Sequence, residues 1–121
     1  MSKILVIEDE KLIRENLLEL LEAEGFDTIS AENGVDGILL AQEQRPDLII
    51  CDMRMPGIDG FEVLKMLRQE PITTGIPFIF LTAKIERSSQ SQSRELGADA
   101  YVTKPFLANE LIKEIMALIK K

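Results

Sequence analysis

The sequence predicts an α/β domain, with five parallel strands in one sheet and helices on both faces. Three features of the 121-residue chain carry that expectation. Short apolar runs alternate with longer amphipathic segments. Three of the runs are apolar at every position, as strands covered on both faces must be. The runs also close on carboxylate, hydroxyl or lysine side chains, which a parallel sheet would gather along one edge.

Taken in order, "KILVIED" (3–9) reads as the first strand. "EKLIRENLLELLEAEG" (10–25) reads as a helix with Ile13, Leu17, Leu20 and Leu21 on one face and Gly25 as its stop. "FDTISA" (26–31) is a strand with polar residues interleaved, and "GVDGILLAQEQ" (34–44) is a helix ending before Arg45-Pro46. "DLIICD" (47–52) is the third strand. "GFEVLKMLRQE" (60–70) is a helix with Phe61, Leu64 and Leu67 in register, opened by Asp59 as N-cap and stopped by Pro71. "IPFIFLT" (76–82) is a strand, "ERSSQSQSREL" (86–96) a polar helix, "ADAYVT" (98–103) a short strand, and "LANELIKEIMALIKK" (107–121) the last helix.

Composition also orders the strands. Ile4–Ile7, Leu48–Cys51 and Phe78–Leu81 are wholly apolar and belong in the centre, whereas 26–31 and 98–103 are half polar, as edge strands can be. The order is therefore 2-1-3-4-5, the flavodoxin-like doubly wound arrangement.

Bulk properties narrow the function. Apolar residues make up 45% of the chain, and no linker or repeat divides it, so residues 1–121 read as one domain. The one cysteine, Cys51, lies in an apolar run, which excludes an internal disulfide and suits a reducing compartment. The apolar stretch Ile4–Ile7 runs straight into Glu8-Asp9-Glu10, too short and too acidic for a signal peptide or a membrane span. A soluble cytoplasmic protein is expected. A net charge of −7 repels phosphate backbones and argues against direct nucleic-acid binding. The absence of histidine removes histidine general bases, histidine metal ligands and phosphohistidine chemistry.

The strand ends carry the chemistry. Strand 1 ends in Glu8-Asp9, strand 3 in Asp52, strand 4 in Thr82 and strand 5 in Thr103-Lys104. In a parallel sheet these ends share one edge, and ligands bind there where the strand order reverses, between strands 1 and 3. Glu8, Asp9 and Asp52 repel one another unless a cation sits among them or one stays protonated. Oxygen ligands without histidine suit a hard cation, and Mg²⁺ is the natural candidate. Lys104 and Thr82 offer a positive charge and a hydroxyl donor to the phosphate oxygens such an ion recruits. A carboxylate is a competent nucleophile toward phosphoryl groups, and phosphoryl transfer needs mainly positioning and charge neutralisation.

The motifs "IEDE" (7–10), "DMRMPGIDG" (52–60), "LTA" (81–83) and "GADAYVTKPF" (97–106), in this order and spacing, resemble those of response-regulator receiver domains of two-component signalling. The resemblance covers essentially the whole chain. It implies that Asp52 is the phosphoacceptor and that Asp9, Asp52 and the main-chain carbonyl of Arg54 ligate Mg²⁺, with Glu8 acting through water. Thr82 matches the switch hydroxyl, Lys104 the phosphate-binding lysine and Tyr101 the switch aromatic, and Lys104-Pro105 matches a cis peptide bond. It further implies a histidine kinase or phosphotransfer protein as donor and a downstream effector protein or domain as target. The domain would catalyse its own phosphorylation and dephosphorylation weakly, without being an enzyme in the usual sense. Phosphorylation would bias the surface of the fourth helix, fifth strand and last helix, which is also a possible homodimer face.

Each residue has a plainer reading beside this one. Asp52 fits a strand-end cap, Glu8 and Asp9 fit the acidic first turn of the next helix, Thr82 an ordinary strand residue, Lys104 a surface charge and Tyr101 edge packing. Arg54 and Lys84 are expected to flank the mouth of the site and attract anionic donors. Segment 86–96 has almost no apolar face, a weakness that suits either a solvated helix or a switching element. In the last helix Leu107, Leu111, Ile115 and Leu118 form a stripe, which Ile112, Met116 and Ile119 widen, so part of it serves the core and part is free for a partner. The chain either acts alone by binding a partner or is one module of a longer protein.

Three other functions compete with this one. An FMN protein of this fold needs a Ser-, Thr- and Gly-rich loop after strand 1, where Glu-Asp-Glu stands here. A phosphatase of the haloacid-dehalogenase kind needs a second aspartate two residues beyond the nucleophile, where Arg54 stands, and a cap domain. The intact acidic pair, Thr82 and Lys104 argue against a receiver-like domain that never carries phosphate, and phosphate labelling decides between the two.

Overall fold

The computed structural model describes residues 2–82 and 97–119, Thr82 by its main chain. In chain order the elements are β1 (Lys3–Ile7), α1 (Lys11–Ala23), β2 (Asp27–Ala31), α2 (Gly34–Gln44), β3 (Leu48–Asp52), α3 (Gly60–Gln69), β4 (Phe78–Thr82), β5 (Ala100–Thr103) and a C-terminal helix, Ala108–Ile119. The strands form one parallel sheet in the order β2-β1-β3-β4-β5, as the composition of the runs predicts. The predicted polar helix 86–96 and Lys84 lie outside the described residues.

Period-2 alternation splits the core into two layers. Leu5, Ile7, Ile49, Cys51, Phe78 and Phe80 face Ile38, Ala41, Val63, Leu64 and Leu67 of α2 and α3. Ile4, Val6, Leu48, Ile50, Ile79 and Leu81 face Leu17, Leu21, Leu111 and Ile115 of α1 and the C-terminal helix. Every one of these β1, β3 and β4 side chains is fully buried, the signature of strands covered on both faces.

Local signals set the helix ends that matter for the site. Gly25 takes φ 92° after α1, its N–H bonding Glu22 O while Phe26 N–H reaches back to Leu21 O, so the last turn is closed and β2 begins at once. Asp59 caps α3 by accepting from Glu62 N–H, and the Glu62 carboxylate accepts in turn from Asp59 N–H. Gly60 follows because a Cβ there would lie 2.4 Å from the main-chain oxygen of Asp52, so α3 starts hard against the end of β3.

The C-terminal helix departs from the sequence reading at its start. It begins at Ala108, so Leu107 stands ahead of the helical register and is 63% exposed rather than part of the core stripe. Leu111 and Ile115 are buried, Ile112, Leu118 and Ile119 pack at the margin, and Met116 is exposed.

Candidate functional site

Register brings the strand ends together. Ile7 pairs with both Ala31 and Cys51, Asp52 with Leu81, and Thr82 with Thr103, so β1, β3, β4 and β5 end level with one another. Glu8 prolongs β1 by one bond, its N–H donating to Ala31 O at 3.1 Å. Glu8 and Asp52 fall in step with Ile4 and Val6 and with Leu48 and Ile50, all on the face toward α1.

At this edge one carboxylate oxygen each from Glu8, Asp9 and Asp52 lies within 4.8 Å of the other two. Glu8 and Asp52 are buried and Asp9 is half-buried. The Lys104 ammonium reaches into the group, 3.1 Å from Glu8 Oε1 and 3.4 Å from Asp52 Oδ2. Glu8 Oε2 also accepts from Glu10 N–H at 3.2 Å. Arg54 N–H lies 3.4 Å from Asp52 Oδ1, which puts the Arg54 main chain beside that carboxylate while its side chain is exposed. The Lys104-Pro105 bond that follows β5 is cis.

The electrostatics follow from three acids sharing one ammonium. Burial, and then the Asp52 charge, push the Glu8 carboxyl up to about 7, against the lowering pull of Glu10 N–H and Lys104. Burial pulls the Lys104 ammonium down, but Asp52 and Glu8 outweigh it and hold its pKa above the ordinary value. The pocket thus keeps Lys104 charged and resists a third negative charge. That donor set suits a hard dication: its side chains offer only oxygen, and a bound dication favours ionised Glu8. Cys51 takes no part, since its buried thiol donates to Asp52 O and burial raises its pKa well above the ordinary range.

Of the residues expected at the strand ends, Glu8, Asp9, Asp52 and Lys104 come together at one edge. Tyr101 is half-buried on β5 against the α2–α3 core layer. It lines a recess of about 390 Å³ with Thr103, Pro105, Glu110 and Glu114. Thr82 ends β4 as predicted, opposite Thr103.

Sequence reasoning missed two arginines. Arg14 Nη1 donates to Glu8 O at 2.8 Å and lies 3.5 Å from Asp9 O. At the opposite edge Arg68 donates to Ile76 O at 2.8 Å and Gly97 O at 2.9 Å, and pairs with Asp99 at 3.4 Å. Their partners are mostly main-chain carbonyls, which no residue pattern marks.

Comparison with known proteins follows the same lines. The family model described as "Response regulator receiver domain" matches residues 4–116. The phosphate regulon transcriptional regulatory protein PhoB of Pseudomonas aeruginosa is 38% identical over 118 residues, covering 98% of this chain and 52% of that protein. The chain thus spans about half the length of the curated relatives it matches. Among solved structures, chemotaxis protein CheY4 of Vibrio cholerae superposes with a TM-score of 0.94 at 29% identity, covering 98% of each chain. The receiver domain of sensor histidine kinase PA1611 from P. aeruginosa superposes with a TM-score of 0.92 at 26% identity, covering 99% of this chain and 98% of that one. That structure has a magnesium ion coordinated in its active-site cleft.

Proposed function

The chain belongs to the response regulator receiver domain family of two-component systems, and on that premise we propose that Asp52 accepts a phosphoryl group in a Mg²⁺-dependent reaction. The observation that carries this reading is the Lys104 ammonium set between Glu8 and Asp52, with Asp9 completing an acidic group that, fully ionised, is two positive charges short of neutral. Receiver domains are phosphoacceptor signalling domains rather than conventional enzymes.

The donor is the phosphohistidine of a histidine kinase or phosphotransfer protein. An Asp52 carboxylate oxygen attacks phosphorus in line, and the P–N bond breaks as the P–O bond forms. The electron pair leaves with the donor's imidazole, which takes up a proton from solvent. When bound, Mg²⁺ supplies positive charge to the phosphoryl oxygens and to the carboxylates around them. Asp9, Asp52 and the Arg54 carbonyl would hold it, with Glu8 acting through water. Lys104 moves the short distance from Asp52 Oδ2 to a phosphoryl oxygen, keeping its bond to Glu8. The Thr82 hydroxyl donates to another phosphoryl oxygen, and Arg54 and Lys84 draw the anionic donor toward the mouth. Water attack on phosphorus later returns Asp52 and inorganic phosphate, a slow dephosphorylation that the domain itself assists.

The output is a change of surface. Movement of Thr82 frees space for Tyr101, and the face formed by the predicted helix 86–96, β5 and the C-terminal helix meets an effector protein or domain, or a second copy. The recess under Tyr101 and the exposed Met116 support a contact there. The acidic surface supports protein partners over nucleic acid for this domain. PhoB is a transcriptional regulatory protein, which supports a cytoplasmic role within a longer regulator. No helix among the described residues is long and apolar enough to cross a membrane.

Beryllofluoride with Mg²⁺, followed by NMR on wild type and D52N, tests the reading. Shifts at Thr82 and Tyr101 in wild type alone are expected. No shift in wild type would leave a receiver that never carries phosphate.

A further inference from the structure

We propose that Arg14 is a positioning residue for cation binding: its guanidinium clamps the main-chain carbonyls of Glu8 and Asp9 and so presets the two acids of the β1–α1 loop. The inference rests on reading Glu8, Asp9 and Asp52 as the Mg²⁺ site.

Apart from the bonds that Glu10 N–H and Lys104 make to the Glu8 carboxylate, little else among the described residues holds the loop. Glu8 N–H makes the final bond to β2, at Ala31 O, and beyond it β1 pairs no further. The carbonyls of Glu8 and Asp9 leave the strand beside a buried, charged pocket, where an unpaired C=O is costly. Arg14 Nη1 lies 2.8 Å from the first and 3.5 Å from the second. The N-cap of α1, Glu10, makes no side-chain cap bond, so the loop–helix junction lacks the usual anchor. Arg14 supplies one from inside the helix. Its N–H bonds Glu10 O, one turn earlier, and helical side chains lean toward the N-terminus, which returns its head to the loop.

Helix electrostatics do not account for this placement, because a cation in the first turn opposes the helix dipole. Nor does Arg14 act as the site's counter-ion. Lys104 rests on carboxylate oxygens, which a metal would take, whereas Arg14 bonds main-chain oxygens at this loop and leaves the carboxylates to the metal. Removing either residue deletes one positive charge, and charge counting alone says that both losses favour a dication. Positioning by Arg14 requires the opposite sign.

The test titrates Mg²⁺ into wild type, R14M, R14Q, R14K and K104M at fixed ionic strength, reading the amide shifts of Asp9, Glu10 and Asp52, with thermal melts in parallel. R14M is expected to weaken Mg²⁺ binding about tenfold, the lower range for loss of a partner that orients metal ligands. R14Q, which keeps a shorter donor, weakens it less, and R14K restores part of the affinity. K104M binds Mg²⁺ more tightly. R14M binding Mg²⁺ as well as wild type or better, whatever its melting temperature, overturns the proposal, and R14Q decides by the same criterion if R14M does not fold. Wild type that binds no Mg²⁺ overturns the metal site itself, an outcome distinct from tight binding by the Arg14 variants.

Discussion

The two edges of the sheet each set a partly buried cation among oxygen atoms, with opposite charge balance. At the amino-terminal edge Arg68 pairs with one carboxylate, Asp99, and spends its other donors on the neutral carbonyls of Gly97 and Ile76. Asp99 in turn accepts from Phe78 N–H, so that end closes on itself and ties α3 to the starts of β4 and β5. At the carboxyl-terminal edge one ammonium, Lys104, sits among three carboxylates, and burial, then the Asp52 charge, pushes Glu8 up to about 7. The first arrangement is complete without a ligand. The second is short of positive charge, the condition that favours a bound dication.

Substitutions on the two edges should separate these roles. The largest effect is expected at Lys104. K104M removes the donor aimed at the developing phosphoryl charge, and the initial rate of labelling by a small acyl phosphate should fall about 10²–10³-fold. A rate near wild type would put Lys104 on the same footing as Arg68.

Glu8 comes next. The folded carboxyl keeps its proton up to about pH 7, while the unfolded one releases it near the ordinary value of 4.5. Between those values the folded state binds more protons, so metal-free stability falls as pH rises through the window. Urea unfolding at several pH values should show this slope in wild type, its absence in E8Q, and its suppression by Mg²⁺, which favours the ionised form. A wild type and an E8Q with parallel pH profiles would mean that Glu8 carries no such burden.

R68M should cost about 2 kcal/mol, the range for hydrogen bonds involving charged groups, and leave Mg²⁺ affinity unchanged. A change in affinity would show that the two edges are coupled. The smallest effect is expected at Asp59, a structural cap close to the acidic site: D59A should lose about 1 kcal/mol with labelling intact.

How far each feature was legible in the sequence depends on where its signal lies. Strand order was readable because burial on both faces forces β1, β3 and β4 to be apolar throughout, while β2 keeps Asp27, Thr28 and Ser30. Glu8, Asp9, Asp52 and Lys104 were readable because parallel register turns four distant strand ends into neighbours, and charged residues ending apolar runs stand out. Arg14 was not, since its partners are carbonyls that every residue carries and its surroundings are those of an ordinary polar helix face. Leu107 falls outside the stripe because the i, i+4 spacing carries one residue ahead of the helix, which starts only at Ala108. That cis bond itself came from family resemblance, not from physics.

The most direct test of the central claim is to incubate the protein with a small acyl phosphate and Mg²⁺, with and without EDTA, reduce with borohydride, and locate the modified residue by mass spectrometry. The expected result is one acyl-phosphate adduct per chain, at Asp52, that EDTA abolishes. A label on another residue, a label indifferent to EDTA, or none at all would contradict it.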